Sequence, residues 1–383
     1  MLSIFGVVIG DLIQAQWFPN STWSVFDGVV HLGLPQFIAV ACIVAVWLLN
    51  VFGIRPAVWI SYVTGAGLMV PLLVFIVGPY LTGTWHSSNM TWALHGWTGF
   101  KLAMVYLFLM GWSAYAAEVC ATFAPEYHNT KRDTTIALRS AGIFTLLVFL
   151  LFPLGVGGVS GAPSTATASG QFYVPALAKI VGSGAAQVIL VLLIGSLFLS
   201  MISSTADGSR ALYGIARDDM TIKQLYHLNR FHVPARAMTV DLVVNVVLVL
   251  FVPSIIAILY LSNIGYILAH VLALSGFLLL RRDRPNWPRP IKVGPIWLGI
   301  AAVLVVYNII LIGFGVTNPA LTGYGTFTDM WIGVAVLVGS VLLYFYRRIV
   351  QDKAKVTFRE EVPAEPSPEQ MRLLREEEAV PAK

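Results

Sequence analysis

The chain has 383 residues, 57% of them hydrophobic and 11% charged, and a mean hydropathy of +0.77. A soluble domain carries roughly 25% charged residues, so a water-soluble globule with one core is excluded and a polytopic helical membrane protein is expected. The net charge of +5 invites a nucleic-acid reading, which the placement of the bases argues against.

Ten apolar segments follow one another: 2–18, 35–54, 57–82, 99–124, 138–160, 183–206, 238–254, 256–280, 293–316 and 328–346. Most approach the ~20 residues that a helix needs to cross a bilayer. The first and seventh are short, and only Pro253-Ser254 separates the seventh from the eighth. The expected architecture is all-α. About ten transmembrane helices occupy residues 1–350, and a charged, Pro-bearing, disordered tail occupies 351–383. Within the tail, Ser367-Pro368-Glu369-Gln370 predicts one short helix, with Ser at N-cap, Pro at N1 and Gln at N3. The N-terminal segment lacks a basic start and carries Asp11, so it does not read as a signal peptide. Cys42 and Cys120 fall inside apolar segments and read as small buried hydrophobes.

The bases alternate across the loops. One side collects 22 of the 24 Lys and Arg residues, from Arg55 through Lys131, Arg210 and Arg281 to the tail; the other holds Lys101 and Lys179. Cytoplasmic loops collect Lys and Arg. The tail is therefore expected in the cytoplasm and the loop 83–98 outside, in a multi-pass protein of the plasma (cell inner) membrane. The positive charge is topogenic, and no nucleic-acid partner is expected. Trp85, Trp92 and Trp97 in the outward loop read as an interfacial aromatic belt. Residues 157–172, uncharged and rich in Gly, Ser, Thr and Ala, read as an external loop.

Polar chemistry concentrates in Tyr106–Asp133. An apolar helix there meets Gly111, Trp112, Ser113 and Tyr115, then an acid, Glu118. An ionisable group in a membrane helix costs roughly 2.5–3.5 kcal/mol on insertion scales, so it is kept for a pathway, relay or ligand. Glu118 equally admits a local role, capping or pairing with the basic loop. On a continuous helix Gly111, Ala114, Glu118 and Ala121 share one stripe, with Trp112, Tyr115 and Ala116 on the adjacent face. The two aromatics admit packing as well as stacking on a solute. Glu126, Lys131, Arg132 and Asp133 read either as a charged gate or as a solvated topogenic loop. Further on, Ser200, Ser203, Ser204 and Asp207 follow i, i+3, i+4, i+7 spacing. Each Ser alone reads as back-bonding to its own helix. Together they read as a pathway lining. Asp11, Asp241, Asn245 and His270, each alone, read as packed and hydrogen-bonded groups. No Walker loop, dinucleotide fingerprint, zinc motif or nucleophile elbow occurs, so neither an enzyme nor a cofactor is expected.

At these residues the chain resembles the amino acid–polyamine–organocation superfamily of permeases. Three stretches carry the resemblance: Asn50-Val-Phe-Gly53-Ile-Arg55; Trp112-Ser-Ala-Tyr-Ala-Ala-Glu118 with Pro125-Glu126, Asn129 and Lys131-Arg132-Asp133; and Gly208-Ser-Arg-Ala-Leu-Tyr213 with Leu228-Asn229-Arg230 and Val233-Pro234-Ala235. The resemblance implies an inverted-repeat permease fold. It implies secondary transport of amino acids or related amines by alternating access, coupled to protons, sodium or a counter-substrate. It places substrate binding at Gly111, Trp112, Ser113, Tyr115, Ala116, Glu118, Ser203 and Ser204. Three departures accompany it. Ala116 stands where the family usually has glycine, which leaves Gly111 as the residue that unwinds. Asp219-Met-Thr-Ile222 stands where the family often has a glycine and a proline. The first segment resembles the end of the family's third helix, so the first two family helices are not matched. That last point keeps a second reading open: a non-transporting membrane scaffold or regulatory subunit, or an inactive truncated permease.

The charge asymmetry makes a direct prediction. In intact cells Ser88→Cys reacts with a membrane-impermeant maleimide, whereas Ser367→Cys reacts only after permeabilisation. The reverse pattern overturns the orientation.

Overall fold

Each of the ten apolar segments contains helix in the computed structural model, which describes every residue except 1, 22, 26–29, 31, 91–95, 112–116, 125–126, 162–171, 253–254, 286, 288, 290–292, 322–325, 357–366, 368 and 371–383. In chain order the elements are α1 (Leu2–Trp17), β1 (Ser24–Val25), β2 (Leu32–Gly33), α2 (Leu34–Val51), α3 (Ile54–Ile76), α4 (Gly78–Leu81), α5 (Gly96–Met110), α6 (Val119–Thr122), α7 (Thr130–Ser160) and α8 (Tyr173–Val181), followed by α9 (Ser183–Arg217), α10 (Ala235–Phe251), α11 (Ile255–Asp283), α12 (Ile296–Thr317) and α13 (Phe327–Tyr346). The two short strands pair antiparallel, Ser24 opposite Gly33. Among the described residues, seven helices are long and apolar enough to cross a membrane. The other three apolar segments give shorter helices: α1, α5 and α10 run 16, 15 and 17 residues. The sequence reading missed α8.

The chain divides into two compact units, Met1–Leu94 with Thr145–Ile258, and His95–Phe144 with Leu259–Lys383. In the first, α1 and α2 meet along a seam of small residues. A Cβ on Gly10 would lie 2.4 Å from the Pro35 carbonyl oxygen, and one on Gly6 would lie 3.1 Å from Ala39 Cβ. The Gly-x-x-x-Gly spacing thus lets two backbones touch, which lipid-exposed helices need because the hydrophobic effect does not drive them together. Around this seam Leu2, Ile9, Ile43, Val46, Met201 and Val249 form one buried core. A second core gathers Phe75, Val156, Val159, Leu177 and Ile180. There Gly158 leaves room for Trp85, whose indole N–H donates to the Leu154 carbonyl at 3.0 Å. Trp85 also stacks on Tyr80, with centroids 5.5 Å apart. So Trp85 packs on protein, which corrects the aromatic-belt reading for that residue. Helix α7 runs through Ser160, so 157–160 are helix and not loop, and Asn89 Nδ2 donates to the Gly158 carbonyl at 2.7 Å.

Asparagines close the helix ends of this unit. Ser3 N–H at the start of α1 donates to Asn245 Oδ1 at 3.0 Å, and Asn245 Nδ2 donates to Asp241 Oδ1 at 2.9 Å. At the end of α2, Asn229 Nδ2 donates to the Val51 carbonyl at 2.8 Å, while Asn229 Oδ1 accepts from Phe231 N–H at 2.9 Å. Helix ends leave four N–H or four C=O groups without an intrahelical partner.

In the second unit Phe108, Leu109, Ile264, Ile267 and Met330 form the core. The α12 backbone approaches closely there: a Cβ on Gly315 would meet the Phe108 ring at 2.6 Å. The expected tail cap is present. Ser367 N–H donates to Gln370 Oε1 at 2.9 Å, and Gln370 N–H donates to Ser367 Oγ at 3.2 Å.

The α1–α2 seam is testable by size. Gly10→Leu drives a side chain into the Pro35 backbone and costs about 1–3 kcal/mol, read as a lower melting temperature in detergent. Gly142→Leu, whose Cβ meets nothing within 4 Å, leaves it near wild type. Equal melting temperatures for the two variants overturn the seam.

Candidate functional site

The fourth apolar segment does not form one helix. Helix α5 stops at Met110, Gly111 continues as a 3-10 turn, Ala117 and Glu118 form a bend, and α6 resumes at Val119 for four residues. Trp112, Ser113, Tyr115 and Ala116 lie outside the described residues. Ala114 of the expected stripe Gly111, Ala114, Glu118 and Ala121 also lies outside the described residues. A neighbouring helix contacts the described residues on both sides.

Helix α11 holds both edges of the interruption. Asn263, fully buried, donates through Nδ2 to the Leu109 carbonyl at 2.9 Å. One turn further on, the Tyr266 hydroxyl donates to Glu118 Oε1. A turn beyond, His270 lies with its ring centroid 4.3 Å from that of Tyr266, and its Nδ1 sits 3.2 Å from the Tyr266 carbonyl oxygen. The carbonyl before the break and the carboxylate after it are thus set by one face of one helix. Glu118 is exposed, stands at the N-cap of α6 and makes no side-chain capping bond. Of the two readings of this acid, the local cap is therefore not what the structure gives. The short α6 is closed by its own side chains and by Tyr127, whose hydroxyl donates to the Cys120 carbonyl at 2.7 Å.

The loop that follows is committed to starting α7. Asn129 Oδ1 accepts from Arg132 N–H at 2.9 Å, and Asp133 Oδ2 accepts from Asn129 N–H at 3.0 Å. This reciprocal cap gives Asp133 a structural task at the start of α7. Glu126 lies outside the described residues.

Ser200, Ser203, Ser204 and Asp207 lie on the uninterrupted α9, all half-buried. Ser200 Oγ donates to the Ser196 carbonyl at 3.1 Å, the back-bonding mode expected of an isolated serine. Beside them Thr205 is buried with no hydrogen-bond partner for its hydroxyl. Ser203 and Ser204 belong to the first unit, Gly111 and Glu118 to the second.

Asn263 and Tyr266 escaped the sequence reading, which weighed His270 alone. Their signal was present: Asn263, Tyr266 and His270 follow i, i+3, i+7 spacing within an apolar helix, the rule that singled out the serine stripe.

Comparison with known proteins bears on what this site serves. The family model for amino acid permease matches residues 1–341. An uncharacterized transporter of Mycobacterium tuberculosis is 26% identical over 330 residues, covering 84% of this chain and 68% of the relative. An uncharacterized transporter of Mycobacterium bovis matches to the same extent. The matched stretch takes in the interrupted segment, the serine stripe and the α11 face that holds the break. A multi-pass helical membrane protein built for transport and not for catalysis, the chain belongs to the amino acid permease family.

Proposed function

We propose that this permease moves an amino acid or a related amine across the plasma membrane by alternating access, with the stretch Gly111–Glu118 clamping the solute. The observation that carries this reading is the interruption between Met110 and Val119, held at both edges by α11. A helix broken at bilayer depth directs unsatisfied backbone groups at a solute. In this reading Gly111 supplies the turn, and Ser113 and Ala116 keep the approach uncrowded. Trp112 and Tyr115 offer aromatic faces to a cation or an apolar side chain. Glu118 offers a carboxylate to an amine, and Ser203 and Ser204 line the pathway with hydroxyls. The tail beyond residue 350 lies in the cytoplasm, a reading supported by the 22 bases on one side. Protons, sodium or a counter-substrate drive the movement.

The test is uptake by the protein as its own gene encodes it, purified and reconstituted in liposomes. The probes are the twenty labelled amino acids and labelled putrescine. Each is offered under a pH gradient, a sodium gradient or an internal load of unlabelled amino acid. Saturable uptake of at least one probe is expected. A folded preparation that takes up none under any condition overturns transport and leaves the scaffold reading. With the transported probe in hand, Trp112→Ala weakens its affinity by up to about tenfold or somewhat more, because losing cation or apolar stacking costs roughly 0.5–2 kcal/mol and 1.4 kcal/mol is tenfold. Trp112→Phe recovers part of that loss. Unchanged affinity with a collapsed folded yield removes Trp112 from the site.

A further inference from the structure

We infer that Asn263 is the positioning residue of the interrupted segment: its side-chain amide fixes where α5 ends, and so where the solute clamp begins. The role in binding rests on the transport reading above; the placement of the break does not.

A helix ends with carbonyls that lack intrahelical donors. In a bilayer, water does not supply the missing donor, so a helix stops only where protein does. Leu109 is 1% exposed and Asn263 0%, and Phe108, Ile264, Ile267 and Met330 surround them. Their 2.9 Å hydrogen bond therefore sits in a dry core, where an unmade bond has no substitute. The acceptor is the second residue before Gly111, at the near edge of the break. Chemistry narrows the donor. A leucine of similar volume donates nothing, and a carboxylate donates only when protonated. The neutral amide donates at every pH without bringing a charge into hydrocarbon. Tyr266, one turn further along α11, ties Glu118 at the far edge.

The protein to test is the full chain carrying Asn263→Leu, Asn263→Asp or Asn263→Gln. Hydrogen exchange read by mass spectrometry needs no ligand. Asn263→Leu speeds exchange in peptides covering 106–122 by about tenfold or more and leaves peptides of α2 and α9 unchanged. A rise spread over the whole chain, or none in 106–122, overturns the inference. The second readout is the affinity for whichever probe the uptake screen identifies, taken as a ratio to wild type across pH. Asn263→Leu weakens affinity by about tenfold at every pH, and Asn263→Gln recovers part of the loss. Asn263→Asp matches the leucine variant where its carboxylate is ionised. It returns toward wild type as pH falls, because the protonated carboxyl donates to the Leu109 carbonyl. Taking the ratio removes any pH dependence that belongs to proton coupling. A ratio for Asn263→Asp that stays at the leucine variant's level at every pH means that the residue merely fills space and sinks its positioning role. If wild type takes up no probe, transport fails as the function, while the exchange arm still decides whether Asn263 places the break.

Discussion

A helix end buried away from water faces one constraint: no solvent meets its unpaired backbone groups, so the chain itself must. Three asparagines meet it at three different ends. Asn245 accepts from the first turn of α1, Asn229 donates to the last turn of α2, and Asn263 donates to the last turn of α5. Each reaches its target from a distant part of the sequence. Each end is therefore a tertiary contact as well as a local one, and the positions at which helices stop become a property of the packing.

That dependence explains what could be read in advance. Hydropathy placed helix in each of the ten apolar segments because an apolar run long enough to approach a bilayer's thickness has few alternatives to a helix. The tail cap at Ser367 was legible because donor and acceptor lie three residues apart. Tertiary contacts left no comparable trace. The contact of Asn263 with the Leu109 carbonyl joins residues 154 apart and has no local signature. Asp133 caps the start of α7 from the next turn, a bond between residues four apart. Of the eight residues expected to bind solute, Gly111, Glu118, Ser203 and Ser204 are placed by the described structure, on elements whose breaks and continuity were only half legible.

Glycine shows the complementary side of the constraint. With little apolar driving force between helices in lipid, close approach has to come from removing side chains. Gly6 and Gly10 bring α1 against α2, and Gly315 brings α12 against the Phe108 ring. Phe108 precedes Leu109, so the glycine contact and the asparagine bond act on neighbouring residues of the same helical end. Packing seats the last turn of α5, and the amide decides that the turn is the last.

The division between amides and acids follows from cost. A buried amide brings no net charge, so Asn263 and Asn245 sit almost without exposure and still satisfy backbone. A carboxylate at the same depth carries a penalty of roughly 2.5–3.5 kcal/mol on insertion scales. Asparagine therefore satisfies buried backbone without bringing the charge that an acid would. Glu118 is exposed, and the partner the structure gives it is a phenol. A phenol is neutral: it holds the carboxylate in place without cancelling its charge, whereas an arginine or lysine would do both. In the clamp reading proposed above, a carboxylate held by a neutral partner keeps its charge for a cationic group of the solute.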